Sequence, residues 1–215
     1  MVPEIAHFEP TTLGMKMHVL TVLDHPNPEA FCAAVARRFN AGAEAAGHTT
    51  EMADLHSEGF DPRWSMADVE ADDASPAPPD VLREQERITQ ADAVCFVFPL
   101  FWWGMPAMTK GWVDRVWSWG WAYDQLADPE VSLQRPRTGI FLIPAGARSD
   151  EMSEMGYRTA LETTLIKGTF GYFGFTNRKL EILNGSKGST SRRSALLDKA
   201  YQSGFLLELP LPAYS

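Results

Sequence analysis

Three short stretches of this 215-residue chain combine side chains that could hold charge or a flat ring with residues that shape the backbone around them. The first is Asp24-His25-Pro26-Asn27-Pro28. If it feeds a helix, the free N–H groups of the first turn and the helix dipole attract a phosphate, and His25 adds a ring that can carry a proton. His25 capping the turn through a backbone carbonyl suits the position equally well. The second stretch, Pro99-Leu100-Phe101-Trp102-Trp103-Gly104, sets four large apolar side chains in a row. Left in water, each costs roughly 2 kcal/mol, so they must cover something. A flat heterocycle and a second subunit both answer, and the two are compatible. The third stretch, Pro144-Ala145-Gly146-Ala147, is small enough to let the backbone approach a ring edge, although an ordinary strand-to-helix turn reads the same.

Other chemistries lack their residues. No G-x-G-x-x-G follows the first apolar run, no G-x-x-x-x-G-K-[ST] occurs, and no serine sits in a G-x-S-x-G elbow. The five histidines form no spaced cluster with cysteines or carboxylates, so no metal is expected. Cys32 and Cys95 fall within a helix and a buried strand and read as packed thiols.

The elements that must position the three loops follow from periodicity. Residues 17–23, 93–98 and 138–144 are continuous apolar runs, and residues 48–55 and 179–183 complete five strands. Helices are expected over 29–46, closed by Gly47, and over 81–91. Another begins at Pro106, followed by 153–173 in large part and by 191–203. Residues 56–80 form a long acidic, Pro-rich loop with a helical turn near 65–71. Strand and helix alternate, and the strands show no in-out alternation. That pattern predicts an α/β, doubly wound five-stranded parallel sheet with helices on both faces. Ligands of such sheets bind beyond the carboxyl ends of the strands, where all three loops fall.

Composition narrows the partners. With 19 Lys and Arg against 28 Asp and Glu, the net charge of −9 repels nucleic acid and anionic membranes. The longest uncharged run, residues 93–109, holds Pro99, Gly104 and Pro106 and is a little short for a membrane span. Residues 1–15 read as an N-terminal extension and 16–215 as one domain. The start has no basic, apolar leader and the chain no disulfide pattern, so the cytoplasm is the expected compartment. Arg178, Lys179, Lys187, Arg192, Arg193 and Lys199 form a basic island, either a solvated face or a steering surface for an anionic cofactor.

At these loops the sequence resembles the NAD(P)H:quinone oxidoreductases of the flavodoxin-like fold. The resemblance runs from Met17 to about Ser203 and rests on His25-Pro26, Phe31, Ala91-Asp92-Ala93, residues 98–107, residues 110–116 and Trp121-Ala122-Tyr123. Its most specific part is the P-L-x-W-x-x-x-P-A-x-x-K-G-W stretch from Pro99 to Trp112. The resemblance implies strand order 2-1-3-4-5 and a bound flavin, FAD with FMN as the other option. It implies that hydride arrives from NAD(P)H and leaves to a quinone-like aromatic acceptor, the two alternating at one site. It also implies a homodimer whose active sites are built partly by the other subunit. By motif position, His25, Asn27, Phe31 and residues 99–104 would hold flavin phosphate and ring. Pro144, Ala145, Gly146 and Ala147 would meet the pyrimidine edge, and Arg193 with Leu197 the adenine end of FAD. Trp103 and Tyr123 would line the substrate side. The family's hydroxyl residue and Asn beside the Phe are Ala30 and Cys32 here. Its Tyr and His thought to relay charge fall on Met152 and Arg158, with Tyr157 adjacent. Arg158 would then stabilise a reduced, anionic ring. The alternatives are a flavin-sensing docking subunit and a pathway-specific reductase of one quinone, azo or nitroaromatic compound.

Overall fold

In a computed structural model, which describes residues 15–71, 75–124 and 132–210, five parallel strands lie in the order β2-β1-β3-β4-β5. They are β1 His18–Leu23, β2 Thr49–Asp54, β3 Ala93–Val97, β4 Arg137–Ala145 and β5 Phe175–Asn184. Helices α1 Phe31–Ala45, α2 Met66–Val69, α3 Pro79–Gln90, α4 Ala107–Val116, α5 Ser149–Glu154, α6 Tyr157–Leu161, α7 Gly171–Phe173 and α8 Thr190–Phe205 connect and cover them. The expected fold class and strand order are both present. The expected extension over residues 1–15 lies, apart from Met15, outside the described residues, as do residues 72–74 of the long loop.

Every residue of β3 and β4 is buried because both sheet faces are covered. Leu20, Val22, Phe96, Phe98, Phe141 and Ile143 pack on one face with Ile88, Trp112 and Phe170. Val19, Leu23, Cys95, Val97, Ile140 and Leu142 pack on the other with Phe39, Leu196 and Ala200. Successive side chains point to opposite faces and both faces are dry, so the strands read as unbroken apolar runs. On the second face α1 and α8 cross in near contact. A Cβ at Gly204 would stand 2.1 Å from the Phe39 carbonyl oxygen, and one at Gly42 2.0 Å from that of Tyr201.

Two elements differ from expectation. The helix expected over 153–173 is interrupted at Gly156, which takes φ +75°, and continues as α6 into a π-helical segment, Glu162–Phe170. The threonines explain part of this. Thr163 and Thr164 donate their hydroxyls to the carbonyls of Thr159 and Ala160, and Thr169 reaches back five residues to Thr164, which suits a widened turn. β5 begins at Phe175, four residues before the expected start; after the buried Phe175 its first half is polar, with Arg178 and Lys179 exposed, and carries no apolar run.

The long loop is pinned rather than free. Arg115, buried in α4, donates to Asp68 at 2.9 Å, to Asp80 at 2.5 and 3.1 Å and to the Asp61 carbonyl at 2.6 Å. Gly111 of the same helix lies against the loop, and a Cβ there would stand 2.1 Å from the Pro62 carbonyl oxygen. The helical turn expected near 65–71 is α2, closed by a capping box between Ser65 and Asp68. Among the described residues no helix is long and apolar enough to cross a membrane.

Candidate functional site

The loop after β3 closes as a tight turn in which the Gly104 N–H donates to the Phe101 carbonyl at 3.0 Å. Its two central residues, Trp102 and Trp103, take φ +47° and +57°. Two left-handed residues in succession define a type I′ turn, normally the province of Gly and Asn. For bulky side chains the left-handed conformation costs roughly 1–2 kcal/mol per residue. Strain of this kind persists where the surroundings impose it, and it gathers at binding sites. Trp102 is 92 % exposed, whereas Trp103 packs on Tyr157 with ring centroids 4.5 Å apart.

Across from the turn stands the loop after β4. Leu100, Phe101, Trp102 and Trp103 together with Gly146 and Ala147 line a cleft of about 310 Å³. Pro144 and Ala145 belong to buried β4 and support the loop from below; the Pro144 carbonyl accepts from the Leu100 N–H at 3.0 Å and so joins the two walls. The end of β5 holds the second wall, with Asn184 donating to the Ala147 carbonyl at 3.2 Å and the Ser186 N–H to that of Ala145 at 2.9 Å. The Lys187 stem runs along Gly146, its Cδ 3.4 Å from where a Cβ would sit.

The loop after β1 leads into α1, whose N-terminus has no side-chain cap at Ala30 and no acid in its first turn. Its N–H groups and positive dipole end are therefore free to meet an anion. His25 bonds a backbone N–H rather than a carbonyl: its Nδ1 accepts from Asn27 at 3.0 Å. The neutral ring therefore carries its proton on Nε2. Asn27 in turn accepts from the Glu29 N–H at 2.9 Å. Beside this terminus the Arg193 guanidinium lies over the Phe31 ring at 4.8 Å, and Leu197 packs on the same core as Phe31.

The remaining expected site residues stand elsewhere on the chain. Tyr123 does not line the cleft with Trp103. It faces Tyr172 at 5.3 Å in a groove of about 690 Å³ that Trp117, Ala122, Thr164, Thr169 and Phe173 also line. The Trp117 indole N–H is buried without a hydrogen-bond partner among the described residues. Arg158 pairs with Glu162 at 3.1 Å on an exposed face. Met152, within α5, is buried in the core.

Some residues around the site carried no role in the sequence reading. Tyr157 backs Trp103. Asp24 is buried at the end of β1, with one oxygen accepting from the backbone N–H and hydroxyl of Thr109 at 2.9 and 2.6 Å and the other 2.9 Å from His56 Nε2. Burial, assisted by this carboxylate, pushes the neighbouring Cys32 thiol up to about 12. Burial likewise raises Cys95. Both thiols are protonated at neutral pH, which agrees with packed side chains rather than nucleophiles.

An all-parallel sheet that opens an aromatic-walled cleft beyond its strand ends, beside an uncapped helix N-terminus, is the layout of proteins that hold a nucleotide-like cofactor. The chain belongs to the flavodoxin-like family, whose model, described as "Flavodoxin-like fold", matches residues 17–203. It is 32% identical over 167 residues to an uncharacterized NAD(P)H oxidoreductase of Haemophilus influenzae, covering 77% of this chain and 83% of that one. It is 26% identical to NAD(P)H dehydrogenase [quinone] 1 of Cavia porcellus, over 88% of this chain and 85% of that one. Among solved structures, an NAD(P)H:quinone oxidoreductase from Methanothermobacter marburgensis superposes with a TM-score of 0.81 at 32% identity, over 90% of this chain and all of that one.

Proposed function

We propose that the protein is a flavin-dependent oxidoreductase that takes hydride from NAD(P)H and reduces a quinone or related aromatic acceptor. The observation that carries the reading is the strained Trp102–Trp103 turn facing Gly146 and Ala147 across an apolar cleft. Among the described residues the one ring contact of Trp102 is with Trp103, centroids 6.3 Å apart, yet the residue holds a costly backbone conformation and gives most of its ring to water. A flat cofactor against the turn does account for it.

The residues present fit a flavin. The cleft suits a planar ring, and the α1 N-terminus with His25 Nε2 supplies donors for a phosphate. Phe31, Arg193 and Leu197 form a cationic and apolar patch beside that terminus, which favours FAD, with its adenine seated there, over FMN. A bound flavin supplies hydride and two-electron chemistry, so no acid–base triad is needed. The chain's own part is to position and to exclude water. Tyr157 steadies Trp103 as a flat wall, and the apolar lining keeps water from the transferring hydride.

The domain of residues 16–215 then works as a homodimer in the cytoplasm. Tyr123, Tyr172 and Trp117 line a groove of their own. Set over a partner's cleft, that groove would close the site with an aromatic wall. Exposed Trp64, Val69 and Trp119 lie in the same region and would be covered.

The visible spectrum of the purified protein tests the reading, with released flavin identified by chromatography and NADPH consumption followed with a simple quinone. A yellow protein with one FAD per chain and quinone-dependent oxidation is expected. A colourless chain that takes up no added flavin overturns it.

A further inference from the structure

We propose that Asp24 is a positioning residue that ties the loop after β1 to the first turn of α4, behind the aromatic turn, and to the start of the long loop after β2, so that the phosphate and ring ends of a bound flavin are held as one unit. The inference rests on the flavin reading above and concerns residues to which that reading gives no role.

Three loops meet at this one carboxylate. Asp24 itself opens the phosphate loop and is tied to β3 by its N–H, which donates to the Val97 carbonyl at 2.9 Å. One side-chain oxygen takes two donors from Thr109, the third residue of α4: its N–H at 2.9 Å and its hydroxyl at 2.6 Å. That is a helix cap supplied from 85 residues away in sequence. α4 has no cap of its own, because the residue before it is Pro106. The aromatic turn that forms one wall of the cleft ends at Gly104, just ahead of this helix. Fixing the first turn of α4 therefore fixes the base of that wall. The second oxygen lies 2.9 Å from His56 Nε2, at the start of the long loop.

The arrangement also sorts the two helix N-termini at the site. The α4 terminus is occupied by a carboxylate, whereas the α1 terminus has neither cap nor acid. An anion is thereby directed to α1 alone.

Charge and position make opposite predictions, which is what makes the inference testable. A carboxylate beside a phosphate site repels the phosphate, so if Asp24 acts only through charge, removing it tightens phosphate binding. If it acts by position, removing it weakens the gain in affinity that the phosphate brings. Asparagine separates the two, because its Oδ1 can accept from Thr109 and its amide can donate to His56 without charge.

The experiment titrates FMN and riboflavin into flavin-free full-length protein, following flavin fluorescence, and takes the ratio of the two affinities. Wild type should prefer FMN. In Asp24→Ala the preference should fall at least tenfold, while Asp24→Asn should keep it within threefold or raise it. Thr109→Val, which retains the backbone N–H, should lose several-fold, and Thr109→Ser should restore it. Circular dichroism and thermal melts select the folded variants, and the threonine pair stands in should Asp24→Ala fail to fold. A merely structural role would lower the melting temperature and leave the ratio unchanged. An unchanged or raised ratio in Asp24→Ala, or a loss in Asp24→Asn as large as in Ala, overturns the proposal. A wild type that binds neither compound removes the flavin reading itself, and this inference with it.

Discussion

The Trp103 ring packs on Tyr157 with centroids 4.5 Å apart and planes inclined by 32°. The contact joins the aromatic turn after β3 to α6, which begins at Tyr157 directly after Gly156 in the left-handed conformation. An aromatic pair of this kind contributes about 0.5–1.5 kcal/mol beyond its buried area. Tyr157→Ala should therefore weaken flavin binding roughly three- to tenfold by that measure, and Tyr157→Phe should leave it nearly unchanged. Fluorescence titration of flavin-free protein checks both.

Trp102 should show opposite effects on stability and binding. Glycine adopts φ +47° without strain, and the ring it would replace is 92 % exposed. Trp102→Gly is expected to stabilise the flavin-free protein by about 1 kcal/mol and to loosen the flavin. Urea denaturation paired with flavin titration reads both signs. Equal loss of stability and affinity would mean that the turn stores no strain.

The Arg193–Phe31 contact bears on the choice between FAD and FMN. Cation–π contacts are worth about 0.5–2 kcal/mol, the larger figure when desolvated. With the adenine seated at this patch, Arg193→Gln should weaken FAD by about tenfold and FMN by less than about threefold. A uniform loss for both flavins would place the guanidinium at the shared phosphate instead.

Glu84 is the buried charge on which α3, α4 and β2's neighbourhood depend. It accepts from the Trp112 indole at 3.1 Å and from Arg87 at 2.9 Å. Arg87 keeps Glu51 and Glu58 at 2.8 and 2.6 Å, so removing Glu84 leaves the buried Trp112 indole N–H without its acceptor, at a cost of about 1–3 kcal/mol. Glu84→Ala should lower the denaturation midpoint accordingly, and Glu84→Gln, which keeps an acceptor for the indole, should cost less.

Alkaline pH should unfold the protein through its thiols. Burial raises Cys32 from 9.0 to about 12 and raises Cys95 as well, so the folded state keeps protons that the unfolded state releases. The Cys32 contribution to stability is complete below about pH 9 and is lost as pH rises toward about 12, at about 1.4 kcal/mol per unit, and Cys95 acts in the same direction. Melting temperatures taken across that range should fall, and Cys32→Ala should flatten the decline.

Part of this architecture is legible residue by residue. The apolar runs of β1, β3 and β4 announce a sheet buried on both faces, and the residues that follow each run mark the candidate site. The first half of β5 carries no such mark, because on this edge strand only Phe175 is buried there and the polar residues after it are partly or fully exposed. The break at Gly156 and the π-helical turns after it are likewise hidden in what reads as one helical stretch, since threonine hydroxyls compete with the backbone locally without altering the apolar period.

Strand periodicity and turn chemistry act over a few residues, and for that reason the class of fold and the three loops around the candidate site can be read from the chain alone. Only the tertiary structure decided which side chains share a site. It set the Asp24 carboxylate on Thr109, 85 residues away, and separated the Tyr123 groove from the Trp103 cleft. It also forced Trp102 and Trp103 into a conformation that their own preferences oppose. Such contacts depend on how crossovers bring distant strand ends side by side, and no period in the chain encodes that.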